Sequence, residues 1–194
     1  MIIKAIDEYL SYRDRDKRAI HCFHPSSLHK SVEELYRIYF EGDSNQAFPT
    51  RILRVFDNGH AVHERLQRYL TATGVLLQAE VPIENADFEI KGHTDGIVEI
   101  NGVKGILEIK SINANGFYTL YAPKDDHLIQ VNIYMFCAGI ERAVLLYECK
   151  DSQQLKEFYF KQDEAVLNPI LSKIREVQAL IKNSGDISSN PQQV

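Results

Sequence analysis

The chain has 194 residues, of which 44% are hydrophobic and 25% charged, an ordinary globular composition that can bury one continuous core without disulfides or a structural metal. No apolar run approaches 18 residues and acids interrupt the apolar N-terminus, so neither a membrane span nor a signal peptide is expected. A formal net charge of −5 lacks the basic footprint of a simple nucleic-acid-coating protein, but it is compatible with a site whose acids are offset by a bound cation.

Residues 2–13 place Ile2, Ile3, Ile6, Tyr9 and Leu10 at helical spacing. The mixed run 13–18 reads as a solvated face. Pro25-Ser26-Ser27 offers an N-cap for a helix through Leu28, Val32, Leu35, Tyr36 and Tyr39, closing near Gly42. Backbone N–H groups of Ser26 and Ser27 at such a start could hold a phosphate, with plain capping as the other reading. A third helix begins after Pro49 and stops at Thr73-Gly74. Turning 100° per residue puts Ile52, Phe56, Gly59, His63, Leu66 and Leu70 on one side, with Gly59 as a close-approach glycine one turn before the imidazole. Arg51, Arg54, Arg65 and Arg68 fall on another side, either as a phosphate-facing stripe or as solvated arginines.

From Val75 the period changes to two, and residues 81–83, 88–100 and 103–112 read as strands. Residues 125–139 are helical, and 143–149 and 156–160 are strands. Asp163 caps a last helix through Val166, Leu167, Ile170, Ile174 and Val177, and the polar residues 185–194 are expected to be disordered. The order places a mixed sheet among helices in one α/β domain over residues 1–184, its core at 50–160.

The densest signal lies between Gly92 and Lys110. Asn101-Gly102 between two β-rich runs predicts a type I′ hairpin turn, which needs positive φ at both residues. Pairing outward from Ile100 and Val103 sets Asp95 opposite Glu108, and period-two alternation adds Lys110 to the same face. Val98, Ile100, Val103, Leu107 and Ile109 point the other way. A salt-bridged solvent face is the plain alternative, but Ile97 and Ile106 share the charged face, and opposed carboxylates repel unless a cation sits between them. Two carboxylates beside a backbone carbonyl form a hard-oxygen site suited to Mg²⁺ or Mn²⁺.

Asp95, twelve intervening residues and Glu108-Ile109-Lys110 resemble the core of the PD-(D/E)XK nuclease superfamily, with the usual proline position filled differently. Upstream, Gly59-His-Ala-Val-His63 resembles the GxxxH motif of its RecB-like branch. Downstream, Gln130-Val-Asn-Ile-Tyr134 resembles the QxxxY motif, and the three occur in the family's order across residues 24–160. This branch includes phage and CRISPR-associated exonucleases.

The resemblance implies an α/β restriction-endonuclease-like fold and metal-assisted phosphodiester hydrolysis, most simply by a DNA exonuclease in recombination, repair or phage DNA processing. His63, Asp95, Glu108 and the Ile109 carbonyl would hold Mg²⁺ or Mn²⁺. Lys110 would orient water or stabilise developing charge. Gln130 and Tyr134 would hold the substrate backbone or the attacking water. The implied partner is DNA, with a helicase or recombination protein supplying any motor. Several relatives carry a four-cysteine iron–sulfur cluster. Here only Cys22, Cys137 and Cys149 exist, so no cluster is expected, and reduced thiols point to the cytoplasm. The alternatives are a non-catalytic nucleic-acid-binding subunit that keeps the fold, and a hydrolase of small phosphoesters.

Overall fold

The computed structural model describes residues 1–12, 20–42 and 48–188, the backbone alone at 185–188. The charged run 13–18 and the tail beyond 188 lie outside the described residues. Helix α1 (Ile2–Tyr12) leads to a single 3₁₀ turn at Pro25–Ser27, then α2 (Val32–Glu41) and α3 (Thr50–Ala72). Strands β1 (Leu76–Asn85), β2 (Ile90–Ile100) and β3 (Val103–Ile112) follow. Next come α4 (Ala114–Tyr118), α5 (Asp125–Ala138), β4 (Arg142–Cys149), β5 (Leu155–Lys161) and α6 (Glu164–Ser188).

The second predicted helix starts later than its Pro-Ser-Ser signal. Its N-cap is Ser31, whose Oγ accepts from the Glu34 N–H while the Glu34 carboxylate accepts from the Ser31 N–H. That reciprocal cap outcompetes the earlier start, because Ser27 N–H already donates to His24 O in the 3₁₀ turn. The periodicity did not reveal α4. It is one short turn capped by Asn113, whose Oδ1 accepts from Gly116 N–H. The last helix runs on to Ser188, so it takes in residues 185–188 of the stretch expected to be disordered.

The five strands lie in sequence order in one mixed sheet, antiparallel except for the β3–β4 pair. A parallel neighbour requires a crossover, and α4 and α5 supply it. Val131, Tyr134 and Met135 of α5, with Phe117 of α4, cover the face bearing Ile106, Leu145 and Tyr147. Val62 and Leu66 of α3 cover the opposite face, which bears Val98, Leu107, Ile109, Val144 and Leu146. A third apolar cluster joins Leu35 and Tyr39 of α2, Ile133 on the back of α5, and Leu167, Ile170 and Ile174 of α6. The predicted α3 stripe is corrected at one end. Leu53, Val62, Leu66 and Gln67 are buried, whereas Phe56 is exposed and stacks edge-on with Phe48. No described helix is long and apolar enough to cross a membrane.

Candidate active site

Asn101 and Gly102 take φ of 54° and 76°, and the predicted register holds from Ile100–Val103 to Gly96–Leu107. One step further, at Asp95 and Glu108, the ladder ends and side chains replace backbone partners. Thr94 Oγ1 donates to Leu107 O at 2.7 Å, and Ile109 N–H donates to Asp95 Oδ2 at 2.5 Å. Within a strand residue, C=O points to the same edge as N–H, so the Ile109 carbonyl opens into the split between β2 and β3.

The split is braced from β1 and α3. The β1–β2 ladder passes from Ala79–Gly96 to Val81–Thr94, and Glu80 between them adopts φ of 49°, an uncommon backbone for a side-chain-bearing residue. The buried Gln67 Nε2 donates to Glu80 Oε1 at 2.6 Å and to the Asp95 carbonyl at 2.9 Å. Gly96 is required here, since a Cβ would lie 2.5 Å from Leu76 Cδ1 and 2.6 Å from the Gln78 carbonyl.

Asp95 thus reaches α3, where His63 Nδ1 lies 2.9 Å from Asp95 Oδ1. Burial pulls the imidazole pKa down, but the hydrogen bond and charge of Asp95, with that of Glu108, outweigh it and raise it. With Nδ1–H donating to Asp95, Nε2 is the nitrogen whose lone pair remains for a ligand. Glu108 is 4% exposed, and burial, reinforced by the charge of Asp95, pushes its carboxyl up to about 7 against the pull of Lys110 and His63.

Lys110 Nζ donates to Glu108 Oε1 at 2.7 Å and to Gln130 Oε1 at 2.9 Å. Gln130 Nε2 donates to the same Glu108 oxygen at 2.8 Å and to Tyr134 Oη at 2.9 Å. Two of the predicted residues, Lys110 on β3 and Gln130 on α5, therefore grip one oxygen of Glu108, and Tyr134 holds Gln130. Its other oxygen, Oε2, is the one buried side-chain polar atom among the described residues with no hydrogen-bond partner.

An orphaned carboxylate oxygen beside a second carboxylate fits a hard divalent cation. The donors would be Asp95, Glu108 and the Ile109 carbonyl, with His63 alongside. The side chains alone are not a closed cage: among the described residues no group of three or more His, Cys, Asp or Glu is arranged to hold an ion. The backbone oxygen would have to complete the set.

Other expectations resolve differently. Ser27 is buried and its N–H donates to His24 O within the 3₁₀ turn, and α2 begins only at Val32, so Ser26 and Ser27 do not open the long helix expected to start there. The arginine stripe is divided. Arg54 pairs with Asp7 of α1, and Arg65 Nη2 donates to both oxygens of the buried Glu148 at 2.6 and 2.7 Å. Gly59 is not a close approach, as a Cβ there meets nothing within 4 Å. Cys22 and Cys149 are buried and Cys137 half-buried, and none of the three is in a disulfide.

The sequence reading missed His127 and Tyr147. His127 Nδ1 lies 2.7 Å from Tyr147 Oη, which accepts from Lys124 N–H at 3.3 Å. Tyr147 therefore donates to Nδ1. Burial, then the charge of Lys110, lowers His127 to about 4, so it is neutral at pH 7. One signal was available, since His127 precedes Gln130 by three residues and shares its helical face.

No family model matches the chain, and no curated protein matches it in sequence. Solved structures share its fold. An alkaline exonuclease from Laribacter hongkongensis aligns with a TM-score of 0.64 at 18% identity, over 88% of this chain and 94% of that one. The same enzyme in complex with dAMP gives 0.65 at 18% identity with the same coverage. A phage-related exonuclease from Haemophilus somnus gives 0.59 at 14% identity, over 86% of this chain and 97% of that one. The mixed five-stranded sheet flanked by helices is thus the PD-(D/E)XK-like α/β architecture of these exonucleases.

Proposed function

We propose that the chain is a metal-dependent DNA nuclease, an exonuclease hydrolysing phosphodiester bonds, with Asp95, Glu108 and Lys110 as its catalytic residues. The observation that carries this reading is Glu108 Oε2, buried and unpartnered on a carboxyl group that feels the charge of a second carboxylate, Asp95. A structural role gains nothing from such an arrangement, whereas a cation-binding role requires it. The fold of the exonucleases above supports it, and the motif resemblance places it nearest the RecB-like branch.

A bound Mg²⁺ or Mn²⁺ at Asp95, Glu108 and the Ile109 carbonyl, with His63 contributing, would supply charge neutralisation and a more acidic water. The chain's own residues do the rest. Lys110 places its ammonium beside Glu108, where it can hold a nucleophilic water or meet charge on the scissile phosphate. Gln130 fixes Lys110 and Glu108 together, and Tyr134 holds Gln130 in turn, so both motif residues position the machinery. Thr94 and Gln67 keep the β2–β3 split open from the main chain. In this reading DNA is the substrate, and any unwinding falls to a helicase or recombination protein.

The test is digestion of 5′- and 3′-end-labelled linear DNA beside a closed circle, with Mg²⁺ or Mn²⁺ and with EDTA. Metal-dependent loss of the linear substrates with the circle intact is expected. DNA binding without cleavage would make the chain a binding subunit, and cleavage of a chromogenic phosphoester alone would make it a small-molecule hydrolase.

A further inference from the structure

We propose that the connection from β3 to α5 carries a stacking platform, Tyr121 with Tyr118, that takes the unpaired bases of a DNA strand next to the scissile phosphate. The proposal rests on the nuclease reading for its strand and adds where that strand lies.

The sheet register leads to it. Lys110 on β3 pairs with Tyr147 on β4, and Tyr147 pairs with Lys156 on β5. These three form one row on the face that α5 covers, and at about 4.8 Å per strand the row spans roughly 10 Å. It ends under the exposed loop. Lys156 Nζ lies 5.9 Å from the Tyr121 ring centroid and 4.7 Å from that of Phe117. The loop's far end returns to the same row, where Lys124 N–H donates to Tyr147 Oη.

The loop is held in place. Lys156 Nζ donates to the carbonyls of Phe117 and Leu120, at 2.6 and 3.0 Å, and Asp151 Oδ2 accepts from Ala114 N–H at 2.6 Å. Phe117 and Leu120 are buried beneath it, while Tyr118 is 52% and Tyr121 88% exposed. Isolated surface tyrosines are common. This pair differs in being presented by a pinned segment, with Tyr121 beside the Lys156 end of the register row that begins at Lys110. An aromatic face offered without ordering cost binds any base, and base–aromatic stacking is sequence-tolerant.

Charge does not explain the attraction. Asp125 and Asp126 open α5 directly after Lys124, so this is no cationic groove, and the contact must be made through base faces. The bases must be unpaired to reach it, which makes the substrate class a single strand or a frayed end.

The experiment measures binding of a fluorescein-labelled single-stranded decamer in EDTA, by anisotropy, for the parent, Tyr121→Ala, Tyr121→Phe and Tyr118→Ala. The series is repeated with an abasic residue scanned along the strand. Tyr121→Ala should weaken binding about tenfold, Phe should restore it, and one abasic position should cost the parent as much while costing the Ala variant nothing more. The Ala-to-parent ratio should be the same at 50 and 200 mM salt. With Mn²⁺, the loss in cleavage should fall mainly on KM. Both tyrosines are exposed, so a melting curve should show each variant folded. Equal binding by parent and Tyr121→Ala, or an abasic penalty that persists in the variant, overturns the platform. A parent that binds in this pattern but cuts no DNA overturns the nuclease reading alone, and a parent that cuts DNA with Tyr121→Ala unaffected overturns the platform alone.

Discussion

Glu108→Gln should make the metal-free protein more stable at alkaline pH while abolishing cleavage. Burial and Asp95 hold the Glu108 carboxyl at about 7, against 4.5 for the free side chain. Between those values the folded chain keeps a proton that the unfolded chain has released. The stability linked to this group is therefore complete below about 4.5 and lost as pH rises through 7. At 1.36 kcal/mol per unit, the shift is worth about 3 kcal/mol.

Glutamine mimics the protonated acid and does not titrate. It can still accept from Lys110 and Gln130 as Glu108 Oε1 does. Packing effects of the substitution are common to both pH values, so the informative quantity is the change in the variant–parent difference. Urea unfolding in EDTA should show that difference moving roughly 2–3 kcal/mol in favour of the variant between pH 5 and pH 8. Mn²⁺ should then stabilise the parent and leave the variant unmoved. A difference that does not vary with pH would refute the reasoning, since it would mean the buried carboxylate ionises at no cost without a metal.

Other expectations follow from single contacts. Lys110→Ala removes no ligand and deletes a charge that repels a cation, so titration calorimetry should find Mn²⁺ affinity at least equal to the parent while cleavage falls roughly 10²–10³-fold. Asp95→Ala should lose both together, because its carboxylate also holds His63 and Ile109 N–H. The two glycines should behave oppositely in thermal melts. Gly96→Ala meets a fixed carbonyl and should cost about 1–3 kcal/mol, whereas Gly59→Ala projects into open space within α3 and should gain about 0.5–1 kcal/mol. The purified protein should be colourless, as its three cysteines cannot complete a four-thiolate cluster; a visible absorption band with stoichiometric iron and sulfide would contradict this.

Much of the site was legible because its signals are local. Asn101-Gly102 sets a turn through backbone φ alone, and a two-residue turn dictates every pairing up to Gly96–Leu107. That placed Asp95, Glu108 and Lys110 at one end of one hairpin before any packing was known. Gly74 and Gly139, at φ of 75° and 64°, end α3 and α5 for the same reason. Tertiary structure decided what those side chains do there. The register could not foretell that the ladder would end at Asp95, because the opening depends on Gln67, thirteen residues before Glu80 in sequence, and on Thr94 competing for a backbone acceptor. Nor could helical periodicity tell a phosphate-facing arginine from one committed to an acid. Arg65 and Glu148 stand 83 positions apart and meet only because α3 packs on the sheet face that also carries Val144 and Leu146 of β4. Turns and periods are written in neighbouring residues. Partners that meet across the sheet depend on which helix packs over which strand, and no local pattern carries that.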